Sequence, residues 1–285
     1  MTYQTIFFKD ANKFLEHTLD ELARDETRNN LMLGLALRLR EDPHAYTEQD
    51  PLMAIVSDEG GRISALVIMT PPFPMVVHSE PLNEVALVSL AEALIGTGWQ
   101  LSGVNGESDA SDAFAKIWKE RTGQDIRLHK TLRAYELKEV NALVFPQGEM
   151  RVAKEEDAQK AADMLRAMQD ELQLQESSTA TLEGAQKSIR LKRTFFWVVD
   201  DEVVSITIAV RPQIKGICIS GVYTPPQFRR RGYARALVSE VSKEMLIRGY
   251  ALTNLFTDLS NPTSNKIYQE IGYYPVCDYH QYEFT

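Results

Sequence analysis

The order of apolar and polar positions divides the chain into a series of strand and helix signals. Apolar runs of strand length fall at 5–8, 52–56, 63–69, 75–78 and 132–137. Apolar residues spaced three and four apart predict helices over 11–23, 30–39, 85–95 and 112–121. Asp58-Glu59-Gly60-Gly61 is placed to turn the second strand into the third as a hairpin. Gly96 and Gly123 stand where two of the helices should stop, and Pro43 lies shortly beyond another. Phe145-Pro146-Gln147-Gly148 carries the strongest linker signal.

The second half has the clearest patterning. A strand over 219–224 runs into Pro225-Pro226, then into Arg229-Arg230-Arg231-Gly232. Leu237, Val238, Val241 and Met245 follow at the spacing of one buried helix face, closed by Arg248 and Gly249. Residues 251–258 read as a mostly buried strand. Asn261-Pro262 then suits a helix start, with asparagine as cap and proline in the first turn. That helix carries Asn265, Ile267, Tyr268 and Ile271 and stops at Gly272.

The two halves share residues in the same order. Asp10-Ala11-Asn12-Lys13 matches Asp157-Ala158-Gln159-Lys160, and Ser64 and Pro71 match Ser205 and Pro212. Lys116-Ile117-Trp118-Lys119-Glu120 matches Lys266-Ile267-Tyr268-Gln269-Glu270. Three matches in order at similar separations predict an ancient duplication and two domains of one kind. A length of 285 residues fits two domains.

Composition narrows the function classes. A formal charge of −9 argues against a nucleic-acid surface and makes the arginine triplet a local exception. Two cysteines, Cys218 and Cys277, fit a reducing compartment better than a disulfide framework. The opening MTYQTIFFKD lacks a secretory pattern, and the most apolar run, 31–39, is too short to span a bilayer. The expectation is a cytoplasmic protein with no membrane partner, either a monomer or a homodimer. The five histidines form no metal-binding motif, so no metal is expected.

The candidate chemistry begins at the arginines. Gly232 removes a side chain where the free amides of a helix start emerge, and three guanidinium groups stand beside it. Together they make an anion site, most naturally for phosphate. Neither G-x-x-x-x-G-K-[ST] nor G-x-G-x-x-G after a strand occurs. Arg229-x-x-Gly232-x-Ala234, after a strand and opening a helix, strongly resembles the diphosphate-binding signature Q/R-x-x-G-x-G/A of the GNAT acyl-CoA acyltransferase superfamily. Asn261, Ser264, Tyr268, Gly272 and Tyr273 resemble its other diagnostic segment, N-x-x-S-x-x-x-Y-x-x-x-G-[FY]. The likeness covers roughly the last half of the chain.

The resemblance implies an α/β fold of two tandem GNAT-like domains, each a central mixed β-sheet flanked by helices. Residues 149–285 would form a catalytic N-acetyltransferase domain. Residues 1–145 would form a degenerate copy, because Val88–Ala93, which stands at the arginine-loop position, has neither arginine nor glycine, and Trp118 replaces the tyrosine. The implied co-substrate is acetyl-CoA or another acyl-CoA, and the acceptor a small-molecule or peptide amine. Val222, Tyr223 and Thr224 would line the pantetheine arm. Arg229, Arg230, Arg231, Gly232, Tyr233 and Ala234 would hold the diphosphate, with Asn261 and Asn265 as further contacts. Tyr268 is the candidate general acid, its ordinary pKa of about 10 keeping it protonated.

Cys218, Ser220 and Val222 take the inward strand positions where many relatives carry a glutamate base. Asp258 therefore reads equally as the general base or as a cap of the turn after it, and a water relay is a third route. Acceptor contacts are expected from 173–192 and from parts of the first domain. Two other functions stay open: a CoA-binding sensor without turnover, and O-acyl transfer at the same cofactor site.

Overall fold

A run of ten elements, β-α-α-β-β-β-α-β-α-β, occurs twice. The computed structural model describes residues 2–172 and 178–285. The first run comprises β1 (Tyr3–Phe7), α1 (Ala11–Leu22), α2 (Asn30–Glu41), β2 (Leu52–Asp58), β3 (Ile63–Met69), β4 (Met75–His78), α3 (Glu84–Gly96), β5 (Gly103–Glu107), α4 (Ser108–Thr122) and β6 (Ile126–Leu137). The second comprises β7 (Glu149–Val152), α5 (Ala158–Glu171), α6 (Leu182–Arg190), β8 (Thr194–Val199), β9 (Glu202–Val210), β10 (Gly216–Tyr223), α7 (Tyr233–Ile247), β11 (Leu252–Asp258), α8 (Pro262–Ile271) and β12 (Tyr274–Phe284). None of the described helices is long and apolar enough to cross a membrane.

The chain divides into two compact units. One holds Met1–Ala134, Thr257–Asn261 and Val276–Thr285, and the other holds Tyr135–Phe256 and Pro262–Pro275. The boundary thus falls earlier than the proline-marked stretch at 145–148, and the last strand counts with the first unit. There β12 lies antiparallel to β5, with Tyr279 opposite Glu107 and Glu283 opposite Gly103. Residues 145–148 are packed rather than free. Trp197 Nε1 donates to the Gln147 carbonyl at 3.1 Å, and the Phe145 ring meets the Trp197 ring edge-on.

In the first unit β1, β2, β3 and β4 pair antiparallel in chain order, and β5 joins parallel to β4. Alternate residues of β2 and β3 enter two cores. Ala54, Val56, Ala65 and Val67 pack with α3 and α4, while Met53, Ile55, Leu66 and Ile68 pack with α1 and α2. The pleat, which sends successive side chains to opposite faces, produces this division. Asn83 starts α3 with its Oδ1 accepting the Ala86 N–H at 3.1 Å. Trp118 is core: its ring stacks between Phe114 and Phe284, and Nε1 donates to Gln124 Oε1 at 2.8 Å.

The second unit repeats the scheme with β7, β8, β9 and β10 antiparallel and β11 parallel to β10. Phe196, Ile206 and Ile208 face α5 and α6, while Phe195, Ile217 and Ile219 face α7 and α8. Leu237, Val238, Val241 and Met245 are buried as their spacing predicts. Each contributes roughly 1.5–3 kcal/mol by leaving water. These contacts fix α7 across the sheet and so set where its first turn points.

Candidate acyl-CoA site in the second unit

β10 and β11 pair at Gly216↔Leu252, Ile217↔Thr253 and Cys218↔Asn254, and there the pairing stops. Yet β10 continues to Tyr223 and β11 to Asp258. The result is a wedge whose vertex is the Cys218–Asn254 pair, with no further β10–β11 pair among the described residues. A bulge accompanies it. The register of β10 against β9 shifts between Ser220 and Tyr223, around Gly221 at φ 61°. A side chain at Gly221 would be strained there and would meet Ile208 Cγ1 and Leu165 Cδ2 at 2.9 Å. Two β9 hydroxyls serve the irregular backbone: Thr207 donates to the Ser220 carbonyl at 2.9 Å and Ser205 to the Tyr223 carbonyl at 3.1 Å. Ser205 also lies 2.9 Å from the Thr224 hydroxyl.

The bulge corrects one expectation. Cys218, Ser220 and Val222 were to share a face by simple alternation. The extra residue breaks the period, and Val222 packs instead with Ile217 and Ile219.

Beyond β10, one turn of tight helix at Pro226–Phe228 leads into the arginines. Arg230 has φ 63° and Gly232 φ 81°, a left-handed pair of turns that delivers the chain into α7. No side chain caps this start. The first helical bond runs from Ala236 N–H to the Gly232 carbonyl at 3.0 Å, so the preceding amides have no partner within the helix. Arg229, Arg230, Arg231 and Gly232 are exposed, while Tyr233 turns its ring into the core. Only the backbone of Tyr233 remains for a ligand. Arg229 is engaged: Nη2 reaches Glu171 Oε2 at 2.6 Å, Nε donates to the Thr224 carbonyl at 2.8 Å, and the guanidinium lies over the Tyr223 ring. Its hydrogen bond holds the Glu171 carboxyl below the usual range. Glu171 and Thr207 carry no sequence signal for this site, Ser205 stands out only as a duplication match to Ser64, and Gly221 only as a glycine inside a strand.

Tyr268 stands on α8 with its ring near Tyr135 and Tyr273. Burial, with a smaller effect from nearby Cys218, pushes its hydroxyl up to about 12. It therefore carries its proton throughout the neutral range. Asn265 Oδ1 accepts the Tyr135 hydroxyl at 2.9 Å, which ties its amide to the end of β6. Asp258 Oδ1 accepts both the N–H and the hydroxyl of Ser260, at 2.7 and 2.6 Å, so this carboxylate serves the turn. Asn261 donates its backbone N–H to the Asp258 carbonyl at 3.1 Å within the same turn. Of the expected acceptor stretch 173–192, residues 173–177 lie outside the described residues, and the rest is a short turn at Ser178–Ala180 followed by α6.

The first unit lacks these features at the matching place. β4 ends at His78, and its pairing with β5 reaches Val77↔Gly106. That is the same three-pair extent as β10 with β11, but β4 ends at the next residue, whereas β10 runs on to Tyr223 past its last pair. The start of α3 is filled by Asn83, as described, and Val88–Ala93 lies inside that helix.

The second unit thus sets the parting of two parallel strands beside an uncapped helix start within a mixed sheet. The FR47-like protein family matches residues 201–282. Among solved structures, a Drosophila protein is similar at 14% identity and TM-score 0.68, over 99% of this chain and 98% of that one. A GCN5-related N-acetyltransferase from Sphaerobacter thermophilus is similar at 17% identity and TM-score 0.65, over 99% and 95%. A tandem GNAT protein from the clavulanic acid biosynthesis pathway is similar at 12% identity and TM-score 0.58, over 100% and 98%. No curated protein matches the chain. The chain carries the GNAT fold in its two-domain form.

Proposed function

We propose that the protein is an acyl-CoA-dependent N-acyltransferase that moves an acetyl group from acetyl-CoA to a primary amine, with chemistry in the second unit. The observation that carries this reading is the parting of β10 and β11 after Cys218 and Asn254, beside the uncapped start of α7. The wedge offers backbone hydrogen bonds to an extended pantetheine arm. The amides after Gly232, with Arg230 and Arg231 exposed beside them, suit a diphosphate.

In the transfer, the amine nitrogen forms a bond to the thioester carbonyl carbon, the oxyanion collapses, and the carbon–sulfur bond breaks. Tyr268 donates its proton to the departing sulfur. A phenol at about 12 is a weak acid beside an aqueous thiol of about 8.5. The sulfur, however, leaves into the same desolvated surroundings, which raise its proton affinity in parallel. The amine proton passes to a water, since Asp258 counts with the first unit and serves its own turn. Thiol release from acetyl-CoA across an amine panel, with mass spectrometry of the product, tests the reading. Acetylated amine supports it, and absence of turnover with every amine contradicts it.

The engagement of Asp258 by Ser260 favours a second reading. With Asp258 held by its turn and not acting as base, the same fold would bind acyl-CoA as a sensor without turnover.

A further inference from the structure

Beside the vertex of the wedge lies a polar cluster that the acyl-transfer steps above do not use. Arg211 follows β9 with φ 44°, an unusual conformation for a residue with a side chain. Its Nη2 donates to Cys218 Sγ at 3.0 Å, and its Nε is buried without a hydrogen-bond partner. No carboxylate pairs with this guanidinium among the described residues. Burial pushes the Cys218 thiol up, so the sulfur stays neutral and does not balance the charge.

Two amides complete the cluster. Asn254, strand partner of Cys218, is fully buried, and Gln213 is 8% exposed. Asn254 Nδ2 donates to Gln213 Oε1 at 2.9 Å, which leaves Gln213 Nε2 and Asn254 Oδ1 unpartnered. Turning both amides over would exchange the atoms but still leave one donor and one acceptor unfilled. Buried polar groups are nearly always satisfied, and a guanidinium without an anion is costlier still. Arg211 Nε and Gln213 Nε2 are thus two unfilled donors, one of them charged, of the kind a carboxylate accepts from. The remaining acceptor suits an N–H or a water.

We propose that Arg211, Gln213 and Asn254 form a carboxylate-recognising subsite at the vertex of the wedge, so that one of the two substrates of the transfer carries a carboxylate group. This rests on the acyl-CoA reading and sharpens it. The carboxylate belongs either to the acyl group, as in a dicarboxylic acid monothioester, or to the amine, as in an amino acid.

The test uses the whole chain, with CoA itself as the reference ligand. Calorimetry compares succinyl-CoA with acetyl-CoA, and thiol release from acetyl-CoA compares the common amino acids with their carboxamides. A preference for the carboxylate-bearing probe of about tenfold to a hundredfold is expected in one arm. Arg211→Gln should abolish that preference, and Arg211→Lys should keep part of it, since lysine retains charge without the planar fork. Preference for succinyl-CoA assigns the carboxylate to the acyl group, and preference for amino acids assigns it to the acceptor. If Arg211→Gln does not fold, a reduced preference in Arg211→Lys carries the same support. No preference in either arm, or an unchanged one in the variants, overturns the proposal. Failure of the wild-type chain to bind CoA overturns the acyl-CoA reading and this proposal with it.

Discussion

Arg229 and Glu171 are tied together, Nη2 to Oε2 at 2.6 Å, across the mouth of the arginine loop. The pair joins the last residue of α5 to the segment that precedes α7. In the proposed site a diphosphate competes with Glu171 for the same guanidinium. Glu171→Gln should therefore tighten CoA binding, by up to about fivefold at low salt, as expected for a pair this exposed. Calorimetry at two ionic strengths checks both the sign and the salt dependence. Weaker binding in the variant would mean that Glu171 orients Arg229 for the ligand instead.

Gly232 gives a second prediction. With φ 81° at the start of α7, a side chain there strains the backbone, although only Pro146 atoms lie within 4 Å of its first carbon. Gly232→Leu should cost about 1–2 kcal/mol of stability and obstruct approach to the helix amides. A folded variant with unchanged CoA affinity contradicts the assigned diphosphate site.

Much of this was legible in residues, and the misses have physical causes. The amphipathic spacing of α7 and the Asn261-Pro262 start of α8 put both helices close to their observed bounds. β5 escaped notice because GVNGE has two glycines and little apolar pattern; Gly106 is there for close strand approach, a tertiary demand. The bulge at Gly221 shifted Val222 to the other face, which simple alternation does not register. Asn254 is distant in sequence from Arg211 and Gln213 and meets Gln213 only through the pairing of β11 with β10. No local spacing marks them.

Tyr268 carries the third prediction. Tyr268→Phe removes one hydroxyl and should lower turnover about a hundredfold to ten-thousandfold at near-constant acetyl-CoA affinity. Full turnover in the variant would show that water or another group supplies the proton.

The fourth concerns alkaline pH. Tyr268 titrates near 10 unfolded and at about 12 in the folded chain, so the folded state holds the proton longer. Its contribution to stability is complete below about pH 10 and declines as pH rises toward about 12. Tyr273, raised in the same direction by burial, adds to the decline. Melting temperature should therefore fall over that window, and less steeply in Tyr268→Phe. Equal slopes in the two proteins would contradict the linkage.

In the proposed function acyl-CoA binds the second unit alone, where β10 runs on to Tyr223 past its last pair with β11 and no side chain caps α7, whereas β4 ends at His78 and Asn83 fills the start of α3. Calorimetric titration of the full chain with CoA tests this most directly. One CoA per chain is expected, with binding abolished or strongly weakened by Gly232→Leu. Two CoA molecules per chain, or none, would contradict it.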